Sequence, residues 1–475
     1  MLSCSDYFGS TTILASGATL IVLYLGIAYT RRILVSGVKL VYSATSASLI
    51  SETNLLNKPL TLVDLVKTEV PALHGPEPIF RSVWWLPGGN AQTIYCSLGA
   101  FNQVDPIVYE RKLLRLPDGG TLALDITPPF SVHPRTIGEP VLLVTHGLTG
   151  GSHESYVRAA LTALASLELP SDRRFRAVVL NSRGCNGSPV TSPKLYHAGT
   201  TDDIRDAVLW ICHTFPGSSI FGLGFSLGAN TLTKYVGEEG PDCPMSGIVS
   251  LANVWDFARG SPHIEYGSWM NRFIYDFVLG GALQALLRQH RRIFYEDPAS
   301  PLSATLLDGF LKRKNVRLRD YDSVITPRIY GFKDSTDYYS AISSCRVVHR
   351  ISIPCLAINA ADDPIVTVDN IPVCQILQSS WVIQAITGGG GHMGWFESPN
   401  RSGQNYQRWY VKPTVQYLLA LLKLGLAVRP KPRITEDSNR GVYVQENRPD
   451  IGFREVEEDS IVTSGAGDSK LFSGW

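Results

Sequence analysis

The chain has 475 residues, with 43 Lys and Arg against 42 Asp and Glu, and 44% hydrophobic and 10% aromatic side chains. The even charge balance excludes a protein whose surface serves mainly to neutralise nucleic-acid phosphates, and the apolar content excludes wholesale disorder. The length fits one large domain with extensions or two ordinary domains.

The first element is a run of 23 residues without a charge, Phe8 to Thr30. At 1.5 Å per residue it would span about 35 Å as a helix, enough for a hydrocarbon core of roughly 30 Å. Only Asp6 is charged before it, whereas Arg31, Arg32 and Lys39 follow. A cleaved signal would need a positive leader, so an uncleaved single-pass anchor is expected. The charge flanks place the remaining body in the cytosol. The sequons at Asn186 and Asn400 argue weakly the other way.

Residues 31–105 carry mixed signals and are expected as an N-terminal extension. Residues 107–127 read as a hairpin, IVYERKLLRL and TLALDIT around the turn Pro117-Asp118-Gly119-Gly120. From 139 the pattern alternates. Apolar strands are expected at 139–146, 176–183, 218–225, 246–252, 353–359 and 381–387, with helices at 156–167, 202–215 and 229–236 between the first of them. Such alternation predicts an α/β protein with a mostly parallel central sheet, and the leading hairpin predicts antiparallel strands at its edge. The helical stripe Phe273, Phe277, Leu283, Leu286 and Leu287 interrupts the alternation, so a helical lid is expected over about 253–350 within a domain spanning 106–427. Residues 428–475, rich in Gly, Ser, Asp and Glu, read as a poorly ordered tail. The eight cysteines form no C-x-x-C pair, which argues against structural zinc and a dense disulfide framework.

The strand at 218–225 runs into Gly224-Phe225-Ser226-Leu227-Gly228 and then a helix. This is G-x-S-x-G in the strand-turn-helix context that gives it meaning: a turn so sharp that the serine is strained and its neighbours two positions away must lack bulk. The following helix directs its positive end at the same point. A serine hydroxyl needs a base, and His392 stands in a glycine-rich loop, Gly388 to Gly394, after the last strand. The base needs an orienting carboxylate. Asp362 and Asp363 both follow the strand at 353–359, and Asp363 is preferred because one variable residue and then an apolar pair, Ile365-Val366, come after it. The order Ser, Asp, His is that of α/β-hydrolases. Backbone amides of Leu227 and of Leu148, in the loop His146 to Gly151, are expected to form the oxyanion hole. His146 itself is expected to stabilise its loop. The glycines at 222, 224 and 228 could instead suggest dinucleotide binding, but the spacing is G-x-G-x-x-x-G and the next strand ends in Ala252-Asn253 without the acid that such a site needs.

Seven segments together resemble the membrane-anchored branch of α/β-hydrolases called the hydrolase-4 family: WLPGGNAQTIY at 85–95, HGLTGGS at 146–152, NSRGCNGSP at 181–189, YHAGTTDDIRDAV at 196–208, GFSLGAN at 224–230, NAADDPI at 359–365 and GGGGHMGW at 388–395. That branch includes fungal medium-chain fatty acid ethyl ester synthase/esterases and animal membrane-bound abhydrolase-domain proteins. The resemblance covers about 75–425. It implies acyl-chain chemistry, with Ser226, Asp363 and His392 matching the family triad.

The expected function is therefore a serine hydrolase or acyltransferase. It would act on medium-chain fatty acyl esters or acyl-CoA thioesters, with water or an alcohol as acceptor, at a membrane and without cofactor or metal. A phospholipase or monoacylglycerol lipase is the alternative within that class. A non-catalytic, membrane-tethered binding protein is the alternative from another class.

Overall fold

The computed structural model describes residues 35–50, 60–76, 78–170, 173–398, 406–426, 429–437 and 441–464. The expected anchor at 8–30 and the sequon at Asn400 lie outside the described residues. Among those described, no helix is long and apolar enough to cross a membrane.

The described strands of the main sheet are β1 (Val35–Tyr42), β2 (Ile79–Arg81), β3 (Ile107–Arg115), β4 (Thr121–Thr127), β5 (Val141–Thr145), β6 (Arg176–Asn181), β7 (Ile220–Phe225), β8 (Met245–Leu251), β9 (Cys355–Ala360), β10 (Val382–Thr387), β11 (Ile434–Asp437), β12 (Val442–Gln445) and β13 (Arg448–Ser464). Their order across the sheet is β11-β12-β13-β3-β4-β6-β5-β7-β8-β9-β10-β1-β2. Strands β5 to β10 run parallel to one another. The hairpin β3-β4 and strand β1 pair antiparallel on either side.

The central strands are apolar on both faces because helices cover both. Leu142 and Val144 of β5 pack with Tyr156, Val157 and Leu161 of the helix Ser155–Ala165 and with Tyr417 and Leu418 of the helix Val411–Leu424. Val141 and Leu143 turn to the other face, against Trp210 and Ile211 of helix α3 and Leu232 and Val236 of helix α4. In chain order the helices that matter below are α1 (Gly88–Leu98), α2 (Ser155–Ala165), α3 (Asp202–Thr214), α4 (Leu227–Glu239), α5 (Phe257–Tyr266) and α6 (Asp276–Gln289). Asp202 and Asp203 occupy the first turn of α3, where the helix dipole favours acids. Between β8 and β9 the chain is helical over much of its length, at the place expected for the insertion.

Two expectations about organisation need correction. The stretch 31–105 is not separate from the body, because β1 pairs with β10 and β2 pairs with β1. The stretch 428–475 is not a loose tail over 434–464, because β13 supplies the outer partner of β3. Ile451 and Phe453 are fully buried there. Gly452 N–H donates to Asp206 at 2.8 Å, and Trp210 Nε1 donates to Glu455 at 2.6 Å. With so few inward apolar residues in a polar sequence, composition alone reads as solvated chain.

Candidate active site

The parallel strands end at one rim of the sheet, and the turns after β7, β9 and β10 meet there. After β7, Ser226 adopts φ 54° and ψ −118°, a left-handed conformation that costs a non-glycine residue of order 1–3 kcal/mol. Close packing imposes it. A Cβ on Gly228 would stand 2.4 Å from the His146 carbonyl oxygen, and one on Gly224 would stand 2.6 Å from Ala229 Cα. Helix α4 then starts at Leu227, and its first amides lack partners within the helix.

Ser226 Oγ lies 2.7 Å from His392 Nε2. His392 Nδ1 lies 2.8 Å from Asp363 Oδ2. The other carboxylate oxygen of Asp363 accepts from the amides of Ile365 at 2.8 Å and Val366 at 2.9 Å. Asp363 is buried and His392 nearly so. Asp362 faces elsewhere: its Oδ1 accepts from Gly391 N–H at 2.9 Å. Burial, with the neighbouring Asp363 charge, pushes its carboxyl up to about 6. Asp362 thus holds the histidine loop and does not touch the imidazole.

That loop is strained and braced. Gly390, Gly391, Met393 and Trp395 all have positive φ. Thr93 Oγ1 on α1 accepts from His392 N–H at 2.8 Å and donates to the Gly89 carbonyl at 2.7 Å. Gln92 Oε1 accepts from Phe396 N–H at 2.7 Å. From behind, Arg408 donates to the Met393 carbonyl at 2.8 Å and to Ser155 Oγ at 2.7 Å. Thr93 and Gln92 have no local signature, since they act on backbone groups 299 and 304 positions away; the family segment at 85–95 was the one pointer to α1.

The loop after β5 is fixed by two tyrosines. Gly147 N–H donates to Tyr156 Oη at 3.0 Å, and Thr149 N–H donates to Tyr196 Oη at 2.7 Å. Leu148 stands between them and, like Ser226, Leu227 and His392, lines the cavity described below. His146 accepts from Ser182 N–H at Nε2, 3.0 Å, and so donates from Nδ1 to the Gly147 carbonyl at 2.7 Å. Burial pushes its imidazole down to about 4, so it stays neutral and holds its loop. Ser152 at the loop's end bonds Asp125 through Oγ (2.6 Å) and Asn181 through N–H (3.0 Å). Asn186 donates into the same network, to Ser152 and Asn181 at 3.0 Å each. This ties the segments at 146–152 and 181–189 together and turns the first sequon amide inward.

Ser226 opens into a cavity of about 630 Å³, within the range of small-molecule sites. Its walls are mainly apolar: Ile94 and Leu98 from α1, Phe257 and Ile264 from α5, and Leu279 and Leu283 from α6 among others. Polar groups also reach the lining, among them Glu154, His197, Asn370 and Asp322. Asp322 accepts from Thr326 Oγ1 and Tyr339 Oη at 2.9 Å each, and burial pushes it up to about 7. Among the described residues no cluster of three or more His, Cys, Asp or Glu is set to hold a metal ion.

Residues 140–399 match the family model described as alpha/beta hydrolase fold, and the chain belongs to that family. It is 31% identical over 402 residues to a monoacylglycerol lipase of Saccharomyces cerevisiae, covering 76% of this chain and 85% of the relative. It is 28% identical to phospholipase ABHD3 of Mus musculus, covering 62% and 67% of the two chains. It is 26% identical to medium-chain fatty acid ethyl ester synthase/esterase 2 of the same yeast, covering 68% and 83%.

Proposed function

We propose that the protein is a serine hydrolase that cleaves acyl esters of lipids through an acyl-enzyme on Ser226. The observation that carries this reading is the hydrogen-bonded series Ser226–His392–Asp363 at the wall of an apolar cavity. His392 Nε2 takes the hydroxyl proton as Oγ bonds to the ester carbonyl carbon. Asp363 fixes the Nδ1–H tautomer and stabilises the imidazolium that forms. The Leu148 and Leu227 amides receive the oxyanion; those of Gly147 and Thr149 are already engaged. Collapse breaks the bond to the leaving alcohol, which leaves with the proton from His392. Water then attacks the acyl-enzyme, with His392 again as base, and frees the acid. An alcohol attacking in place of water would transfer the acyl group instead.

The apolar walls suit a fatty acyl chain. The relatives' names suit a monoacylglycerol or phospholipid donor, with medium-chain esters and acyl-CoA thioesters in the same chemical class. Residues 8–30 serve in this reading as a membrane anchor that keeps the enzyme near such donors. The test uses the full chain with esters and thioesters of graded acyl length, monoacylglycerol and phosphatidylcholine, with and without ethanol, quantifying free acid and new ester. Ser226→Ala is expected to lose at least about 10³-fold in turnover and all fluorophosphonate labelling. Retained activity and labelling in that variant would refute the assignment.

A further inference from the structure

The sheet topology fixes where the chain enters the body. Strand β1 is antiparallel to β10, with Val38 opposite Thr387 and Tyr42 opposite Ile383. It therefore begins at the carboxyl rim, the rim that carries Ser226, Asp363 and His392. The contact is direct: Gly388 N–H donates to the Gly37 carbonyl at 3.3 Å, and a Cβ on Gly388 would stand 2.7 Å from Ser36 Cβ. From Thr30, the end of the uncharged stretch, to Val35 the chain reaches at most roughly 18 Å. Strand β2 runs back toward the same rim, with Val35 opposite Arg81, and Trp84 follows it, 65% exposed.

The cavity is lined by α1 and by a π-helical turn, Asn271–Tyr275, which a hydrogen bond from Tyr275 Oη to Asn90 Oδ1 at 2.8 Å joins. Ile94 and Leu98 line the cavity and are also exposed. At the π-helical turn and just before it, Phe273 is 56% exposed and Trp269 is 66% exposed, with the exposed Arg272 guanidinium 5.4 Å from the Phe273 ring centroid. Exposed tryptophans suit the headgroup layer, where an amphipathic ring meets both water and hydrocarbon, and a cation on the neighbouring phenylalanine suits it too.

We infer that this rim, through Trp84, Leu98, Trp269 and Phe273, lies against a lipid bilayer, so that the cavity fills from the membrane and not from water. The inference deepens the hydrolase reading and rests on it for the identity of what enters. The short reach from Thr30 holds the opening near the surface that the uncharged stretch would occupy, and the exposed rings complete the docking.

The experiment places the full chain in phosphatidylcholine vesicles, plain or brominated in the acyl chains, and reads tryptophan emission in a Trp475→Phe background. None of the nine tryptophans falls within 8–30, so quenching reports the body. Brominated lipid is expected to quench emission, and Trp84→Phe with Trp269→Phe is expected to abolish that quenching. Quenching needs no turnover and should persist in Ser226→Ala, which separates failure of docking from failure of the hydrolase reading. In parallel, Trp269→Ser with Phe273→Ser should lower the ratio of bilayer-ester to soluble-ester turnover at least about tenfold. Val132→Ser with Ile137→Ser, exposed positions before β5 at the opposite rim, should leave the ratio unchanged. Equal emission in plain and brominated vesicles would overturn the inference. So would a rim variant whose only effect is to dissociate an oligomer, since the rings would then cover a second copy of the chain.

Discussion

Asp362 and Asp363 differ by one position and face different groups. Asp363 accepts from two amides and from the imidazole Nδ1–H. Asp363→Asn would present a donor where Nδ1–H needs an acceptor, and kcat is expected to fall by roughly 10³–10⁴-fold, while Asp362→Asn, which can still accept from Gly391 N–H, falls by less than about tenfold. Steady-state kinetics on a soluble ester checks both. Stability adds a second reading. The Asp362 carboxyl sits near 6 in the fold, above its ordinary 3.8. Its contribution is therefore present below about pH 4 and is lost as pH rises through about 6. Asp362→Asn should match wild type in Tm near pH 4 and exceed it near pH 7. A pH-independent difference would contradict this account.

At the scale of elements, legibility follows the source of each element's stability. Strands β5 to β10 are continuous apolar runs because helices bury both faces, so the sequence announces them. The β3-β4 hairpin is announced by Pro117-Asp118-Gly119-Gly120. Ser226, Asp363 and His392 were legible because each lies just past such a strand. By contrast β1, β2 and β13 lie toward the two ends of the sheet and are held by backbone pairing, β1 and β13 to partners distant in sequence, and only tertiary contact reveals them. Thr93 and Gln92 escaped for the same reason: they serve main-chain groups of a loop far away in sequence. The placement of β13 in the sheet, between β12 and β3, carries a test. Phe453→Ala removes a fully buried ring and is expected to cost about 3–5 kcal/mol, and Ile451→Ala about 2–5 kcal/mol. Solvated tail residues would cost less than about 0.5 kcal/mol. Urea denaturation distinguishes the two.

At the scale of the molecule, the leading segment and the helical insertion close over the sheet from different directions. Their meeting point at the opening is the Tyr275–Asn90 hydrogen bond. Tyr275→Phe removes that bond, whose net worth is about 0.5–1.5 kcal/mol. Opening of the π-helical turn should therefore rise roughly 2- to 12-fold, read as faster amide exchange over 271–279 with little change in the central strands. Unchanged exchange there would mean that other contacts hold the opening shut.

The two ends of the described chain cap opposite edges of one sheet, and this sets a schedule for biogenesis. Arg115 of β3 pairs with Arg454 of β13, so the ribosome must add roughly 340 residues, about 20–70 s at 5–20 residues per second, before the hairpin gains its outer neighbour. Throughout that interval the hairpin, once formed, carries an open strand edge able to template pairing with another nascent chain. The connectivity thus leaves this strand edge to be covered last.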